Sequence, residues 1–169
     1  ENVDSDKNIN DFVLALDVLA EKYKHPIIVS THPRTRKKID QLGLKFNPLV
    51  RLMKPLGFSD YVQLQQQSKV VLSDSGTITE ESSILNFPAI NIRDAHERPE
   101  GFEEGSVMFT GMNVGRILQA IEILSDQPSG DIRLLNIVSD YIAPNVSDKV
   151  LRTIVSYTDY VNRVVWKKD

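Results

Sequence analysis

The sequence predicts an α/β fold in which a parallel sheet carries helices on both faces. Short apolar runs, which suit buried strands, alternate with longer segments whose apolar residues recur at helical spacing. Turns of small, polar or charged residues follow several of these runs. Strands are expected at 27–30, 50–53, 69–72, 89–92 and 107–110. This alternation is typical of parallel sheets built from βαβ units.

The chain opens on a predicted helix that begins near Asp4 or Ser5 and ends near Tyr23. A parallel sheet of this class normally starts with a strand, so we expect the first strand to lie upstream of Glu1. The run at 27–30 is uniformly apolar until its last residue, which predicts a strand buried on both faces.

The turn after this first strand carries His32, Pro33 and Arg34. Proline suits the first turn of a helix, and Gly43 suits its C-terminal cap. Ligands bind parallel sheets at the carboxyl ends of the strands, where His32 could donate a hydrogen bond and Arg34 could meet an anion. The alternative is a solvated basic helix start with a packed histidine.

A second strand at 50–53 is interrupted by Arg51, which favours an edge or intermediate position. Ser59 is the expected N-cap of a helix that runs from about residue 60 to 67. Tyr61 falls in its first turn, where the ring could stack on a flat ligand. Tyr61 could equally be an ordinary surface or core aromatic.

The stretch 73–81, which reads Ser-Asp-Ser-Gly-Thr-Ile-Thr-Glu-Glu, follows the third strand. Its small residues predict a tight turn that leads into a helix. Unpaired amides and the positive end of the helix dipole would meet there, which is the arrangement that holds phosphate groups. A plain N-cap by Ser75 is the alternative explanation.

This helix should end at Asn86, a residue that tolerates the left-handed conformation, and Pro88 precedes the fourth strand. The segment 93–101 then combines both signs of charge with histidine and proline. Its composition predicts either a network of ion pairs or a polar ligand. Asn113 is the expected cap of a helix over 114–124.

Residues 125–131 have the composition of a linker, and an amphipathic helix starts near Asn145. We therefore predict two parts: an α/β lobe at 1–126, and a linker with a C-terminal helix at 127–169. That helix would cross to cover another lobe.

The bulk composition narrows the function. The 169 residues carry a net charge of −3, so no basic patch indicates nucleic acid or an anionic membrane. There are no cysteines, the N-terminus is not a signal sequence, and no apolar run could span a bilayer, which together fit a cytoplasmic protein. The glycines form no dinucleotide fingerprint and no cluster has metal-ligand spacing, so we expect no cofactor and no metal.

With these residues in place, the chain resembles the C-terminal half of the non-hydrolysing UDP-N-acetylglucosamine 2-epimerase family, over roughly residues 9 to 124. The motifs that carry the resemblance keep both order and spacing: Asp74-Ser75-Gly76, Glu80-Glu81, Pro88, Arg93-Asp94 and Glu97-Arg98-Pro99-Glu100. The turn at 30–34 and the tail at 157–166 look closest to the branch that makes UDP-N-acetyl-L-fucosamine. The resemblance implies a Rossmann-like lobe of a two-lobed, GT-B-type fold.

The resemblance also implies roles for individual residues. Ser75 and Gly76 would hold the diphosphate of UDP, Glu81 would accept hydrogen bonds from the ribose hydroxyls, and Tyr61 would lie beside uracil. His32 and Arg93 would lie close to the diphosphate or the sugar. The further candidates are Thr77, Arg34, Glu97 and Arg98.

One departure from the family pattern concerns Thr77, because the family commonly has two glycines after the serine. A side chain there could crowd the phosphate or add a hydroxyl contact. Glu97 and Glu100 could act as bases, but the arginines in their own segment favour ion pairs. The family's catalytic carboxylates lie in its N-terminal lobe, so none is expected here.

The implied function is the UDP-binding half of a UDP-N-acetylhexosamine 2-epimerase that serves surface or capsular polysaccharide synthesis. The implied partners are a UDP-sugar, an N-terminal lobe of the same protein and a second copy in a homodimer. Two other functions stay open: the UDP-binding half of a GT-B glycosyltransferase, and a nucleotide-binding module without catalysis.

Overall fold

A computed structural model describes residues 6–93 and 98–168 of the chain. These residues fall into two compact units, one that extends to Val138 and one that begins at Ser139. The helices of the first unit are α1 (Asp6–Tyr23), α2 (Pro33–Leu42), α3 (Phe58–Gln67), α4 (Ile78–Leu85), α5 (Pro99–Glu103) and α6 (Val114–Leu124). Its strands are β1 (Ile27–Ser30), β2 (Val50–Met53), β3 (Val71–Ser73), β4 (Ala89–Asn91) and β5 (Met108–Phe109). The second unit contains a 3-10 turn (Ser139–Tyr141), α7 (Val146–Tyr160) and a π-helical turn (Val161–Val165).

The strand pairs are parallel, as the alternating pattern predicts. Ile27 lies opposite Val50 in one sheet, and the other has the order β3-β4-β5 with Ile90 opposite Met108. The strands thus form two sheets rather than one continuous sheet. Within the described residues, the second edge of β1 and the second edge of β3 pair with no strand.

The prediction that β1 is buried on both faces is wrong. Its residues alternate between half-buried and exposed, and Ile28 is 44% exposed while Ile27 packs against the main core. Successive side chains of a strand point to opposite faces, so one face of β1 packs on the core and the other borders solvent. By contrast Ala89, Ile90 and Asn91 of the central strand β4 are all buried.

Helices cover both faces of the three-stranded sheet. One core cluster joins α1 and α6 to the sheet through Leu19, Ile117 and Ile90. A second cluster contains Ile78, Phe87 and Ala89. Since neighbouring residues of a strand point to opposite faces, Ala89 and Ile90 place these two clusters on opposite sides of β4.

The helix ends follow local sequence signals in most cases. Pro33 lies in the first turn of α2, Gly43 caps it with φ of 59°, and the side chain of Asn113 accepts the Arg116 N–H at the start of α6. The predicted N-cap at Ser59 is wrong. Helix α3 starts at Phe58 after an extended Gly57, whose carbonyl accepts the Tyr61 N–H over 2.9 Å.

Residues 127–138 lie in the first compact unit, although the domain boundary after residue 126 stays a prediction. Asn86 adopts the expected left-handed conformation with φ of 54°, and its amide donates to the carbonyls of Gly130 and Ile132 over 2.8 and 2.7 Å. The guanidinium of Arg133 donates to the carbonyls of Ser83 and Ile84 at the same helix end. These bonds anchor the segment to the end of α4.

A short helix and the character of the longer helices complete the description of the secondary structure. The sequence analysis missed α5, which starts at Pro99 directly after the charged segment. Among the described helices, none has both the length and the apolar character that a bilayer crossing requires.

Candidate functional site

The turn between β3 and α4 is shaped by its own hydroxyl groups. Oγ of Ser73 accepts the N–H of Ser75 over 3.1 Å, and Oγ of Ser75 accepts the N–H of Thr77 over 3.3 Å. Helix α4 begins at Ile78, so its N-cap is Thr77 and not Ser75. Thr77 holds that position in a helical conformation, and its side chain caps no backbone amide.

The N-terminus of α4 keeps two backbone donors for another partner. In the described part of the chain, the N–H groups of Gly76 and Ile78 donate no hydrogen bond. Gly76 has no positive φ, so its backbone conformation does not demand glycine. Two donors at the positive end of a helix favour an anion.

A chain of hydrogen bonds links this turn to the neighbouring helix α3. Oγ of Ser75 lies 2.9 Å from Oγ1 of Thr77, and Oγ1 of Thr77 donates to Oε1 of Glu81 over 2.9 Å. Nε2 of Gln65 donates to Oε2 of Glu81 over 2.5 Å. Both oxygens of the half-buried Glu81 carboxylate are therefore held in place.

Tyr61 belongs to the same group of residues. Burial raises the pKa of the Tyr61 hydroxyl, and the negative charges of Glu81 and Asp74 raise it further, while hydrogen bonding from Gln65 acts in the opposite direction. These effects require the phenol to lie near both carboxylates. The structure thus brings Tyr61, Ser75, Thr77 and Glu81 together.

Gln65 is a site residue that the sequence analysis missed. It lies four residues after Tyr61, so both side chains share one face of α3. That spacing was the available signal, but two further glutamines follow Gln65 and nothing in the sequence distinguishes it from them.

His32 lies at the start of α2, where its Nδ1 accepts the N–H of Arg34 over 3.2 Å. A nitrogen that accepts carries no proton in the neutral ring, so Nε2 is the donor. His32 and Arg34 are both exposed. They follow β1, whereas Ser75 follows β3, so they lie at strand ends of different sheets.

The charged segment after β4 is only partly described. The backbone N–H of Arg93 donates to Oδ1 of Asn91 over 2.9 Å, and the Arg93 side chain is half-buried. Nε of Arg98 forms an ion pair with Oε1 of Glu80 over 2.7 Å, which joins the end of this segment to α4. Glu97, a candidate from the sequence, lies outside the described residues.

Among the described residues, no group of three or more His, Asp or Glu side chains could hold a metal ion. The described site offers backbone amides, hydroxyls, a carboxylate and an aromatic ring. Such groups bind a polar ligand through hydrogen bonds and stacking.

The fold and this turn define a class of protein: an α/β lobe of the kind found in two-lobed, GT-B-type enzymes. A family model described as UDP-N-acetylglucosamine 2-epimerase matches residues 1–155. The chain belongs to the UDP-N-acetylglucosamine 2-epimerase family.

Individual relatives agree with this membership. The UDP-N-acetylglucosamine 2-epimerase of Methanocaldococcus jannaschii is 34% identical over 128 residues, which cover 73% of this chain and 35% of the relative. A solved structure of UDP-N-acetylglucosamine 2-epimerase from Rickettsia bellii matches 97% of this chain and 45% of its own, with a TM-score of 0.86 and 43% identity. The Methanocaldococcus jannaschii enzyme in complex with UDP-GlcNAc and UDP matches 92% of this chain and 42% of its own, with a TM-score of 0.81 and 28% identity.

The chain therefore spans less than half the length of these relatives. The matched part contains both sheets and the turn at Ser75.

Proposed function

We propose that the chain is the UDP-binding lobe of a UDP-N-acetylhexosamine 2-epimerase, an isomerase. The observation that carries the proposal is the hydrogen-bonded group of Ser75, Thr77 and Glu81 at the N-terminus of α4 in a member of this family. It combines donors for an anion with a carboxylate one helical turn further on.

Each part of UDP has a proposed contact. The N–H of Gly76 donates to the diphosphate, which the helix dipole of α4 also attracts, and the hydroxyl of Ser75 turns from Thr77 to donate to it when UDP binds. Glu81 accepts hydrogen bonds from the two ribose hydroxyls, since each of its oxygens can accept more than the one bond that it has here. The half-buried ring of Tyr61 stacks on uracil.

The remaining candidates belong to the sugar and diphosphate end. Nε2 of His32 donates a hydrogen bond, and Arg93 supplies positive charge, with Arg34 as a further cation. Thr77 acts through Glu81, to which it donates a hydrogen bond. Arg98 acts through Glu80, with which it forms an ion pair. Glu97 is proposed on the sequence motif alone.

In the proposed reaction, a base removes the C2 proton of the sugar and the C1–O bond breaks in anti fashion, so that UDP leaves with the electron pair. UDP then adds back to the glycal, and a proton returns to C2 from the other face. The work of this lobe is to stabilise the negative charge on the departing UDP with oriented donors. We assign the acid and the base to the N-terminal lobe, so this chain contains no catalytic residue.

The proposed partners follow from the same assignment. They are a UDP-N-acetylhexosamine, an N-terminal lobe of the same protein and a second copy in a homodimer. Helix α7 supports a covering role against the other lobe, because its apolar residues, including Leu151 and Val155, are 61% and 71% exposed. The proposed setting is cytoplasmic synthesis of polysaccharide precursors, and the UDP-N-acetyl-L-fucosamine branch is the proposed substrate group.

Isothermal titration of the chain with UDP tests the proposal. We expect weak binding by the wild type, a loss of about tenfold or more in Glu81→Ala because a charged hydrogen-bond acceptor is removed, and no change in Glu21→Ala on the exposed face of α1. We also expect no C2 inversion of a UDP-sugar by the chain alone. Unchanged UDP affinity in Glu81→Ala would remove Glu81 from the site, and turnover would overturn the assignment of catalysis to another lobe.

A further inference from the structure

We propose that Gln65 is a positioning residue for nucleotide binding, which holds the Glu81 carboxylate from α3 so that its oxygens face the ribose. The proposal rests on the proposed contact between Glu81 and ribose. It adds a second residue of α3, one helical turn after Tyr61, to the proposed nucleotide site.

The orientation of the Gln65 amide is fixed by its partner. Nε2 of Gln65 lies 2.5 Å from Oε2 of Glu81, and an ionised carboxylate can only accept hydrogen bonds. The amide nitrogen must therefore face Glu81, and Oε1 of Gln65 must face away from it.

This orientation leaves Oε1 of Gln65 in an unfavourable environment. The residue is 3% exposed, and Oε1 has no hydrogen-bond partner in the described part of the chain. A buried acceptor without a partner destabilises a fold, and a methionine would fill similar space without one. Packing alone therefore does not account for a glutamine at this position.

The contact with Glu81 does account for it. Thr77 donates to one carboxylate oxygen and Gln65 to the other, so rotation of the carboxylate is restrained from two sides. Tyr61 lies one turn earlier on α3, on the same face as Gln65. Gln65 thereby connects the proposed uracil contact with the proposed ribose contact.

The first test measures how well variants distinguish UDP from 2′-deoxy-UDP, since only the former offers both ribose hydroxyls to Glu81. We expect Gln65→Met to lose about tenfold in UDP affinity, but little in 2′-deoxy-UDP affinity, and to keep its melting temperature. The matched control is Gln66→Met, which makes the same change at an exposed position of α3 and should bind as the wild type does.

The second test places a carboxyl at the same position. In Gln65→Glu the new group and Glu81 would share a proton, which lets the pair keep its hydrogen bond. Tyr61 and Asp74 are the other ionisable groups that act on this cluster. UDP affinity relative to the wild type should fall as the pH rises and the shared proton is lost.

The outcomes separate the two proposals. If the wild type fails to bind UDP or to prefer it over 2′-deoxy-UDP, the role of Glu81 is wrong and this inference fails with it. If the wild type prefers UDP and Gln65→Met prefers it equally, only the role of Gln65 is overturned. An equal loss for both nucleotides, or a pH-independent Gln65→Glu, would also overturn it, because either result indicates a purely structural contribution.

Discussion

The hydroxyl of Thr77 donates to Oε1 of Glu81 over 2.9 Å, one helical turn further along the chain. Thr77 is the position at which this sequence departs from the double glycine that the family commonly has after its serine. The side chain is exposed and lies against both Ser75 and Glu81. The sequence left two possible effects of Thr77: its side chain could crowd the phosphate, or its hydroxyl could add a contact. The hydrogen bond to Glu81 favours the second possibility.

Thr77→Val tests that interpretation because it removes the hydroxyl and keeps the shape. We expect UDP affinity to fall about three- to tenfold, which corresponds to the loss of one hydrogen bond of about 1 kcal/mol. Thr77→Ser is the matched control and should bind UDP as the wild type does. Titration calorimetry measures both variants, and tighter binding by Thr77→Val would indicate crowding instead.

The pKa of Tyr61 offers a probe of the site without a ligand. Burial raises this pKa first and the charge of Glu81 second. We therefore expect Glu81→Gln to lower the pKa of Tyr61 towards its ordinary value while burial keeps part of the increase. An NMR titration of ring-labelled tyrosines resolves Tyr61, with Tyr61→Phe to assign its signal, and an unchanged pKa in Glu81→Gln would contradict the proximity of the two side chains.

The raised pKa of Tyr61 also determines the direction in which the stability of the fold changes with pH. The unfolded chain ionises its tyrosines near pH 10, and the raised pKa means that folded Tyr61 holds its proton to higher pH. The stabilisation from Tyr61 is therefore present below about pH 10 and is lost as the pH rises through the folded pKa. The free energy of unfolding, measured at increasing alkaline pH, should fall more steeply for the wild type than for Tyr61→Phe.

The features predicted correctly from the sequence are those that depend on neighbouring residues. Gly43 and Asn86 adopt left-handed conformations at helix ends because few other residues tolerate them, and Asn113 caps α6 with its own side chain. The strand positions followed in the same way from short apolar runs bounded by turns. Tyr61, Ser75, Thr77 and Glu81 were also predicted as candidates, and the structure places them together.

The features that were missed depend on residues distant in the sequence. On β1, Ile27 packs against the main core while Ile28 on the opposite face is exposed, and the strand's own apolar composition does not reveal that only one face is covered. The hydrogen bond from Gln65 to Glu81 joins α3 to α4. The hydrogen bonds from Asn86 to Gly130 and Ile132 connect residues that are more than forty positions apart in the sequence. Arg98 also pairs with Glu80 on α4, a partner that lies outside its own charged segment and eighteen residues away in the sequence.

Asn86 should be a major contributor to stability. Its side chain donates to the carbonyls of Gly130 and Ile132, and its φ of 54° disfavours residues with a Cβ other than asparagine or aspartate. We expect Asn86→Ala to lower the free energy of unfolding by about 2–4 kcal/mol, from the loss of two hydrogen bonds and from the strained backbone.

Asn86→Gly separates these two causes. Glycine accepts the left-handed conformation, so this variant should recover about 1 kcal/mol relative to Asn86→Ala while still lacking the side-chain donors. Urea unfolding of the three proteins measures the differences. If the two variants are equally stable, the backbone conformation of residue 86 contributes nothing to the difference. If Asn86→Gly is as stable as the wild type, the side-chain hydrogen bonds of Asn86 contribute nothing.

The ion pair between Arg98 and Glu80 should hold the segment that follows β4 against α4. The two side chains are 35% and 29% exposed, and Oε2 of Glu80 is buried without a hydrogen-bond partner among the described residues. Arg98→Met would leave the Glu80 carboxylate partly buried with neither oxygen paired, whereas Glu80→Gln removes the charge and keeps the shape. We expect a double-mutant cycle on the free energy of unfolding to give a coupling of about 1 kcal/mol, since solvent screens a pair of this exposure. Arg36→Met and Asp40→Asn, at an exposed pair on α2, form the control cycle and should couple by less. A coupling near zero for Arg98 and Glu80 would mean that this segment is held in place by other contacts.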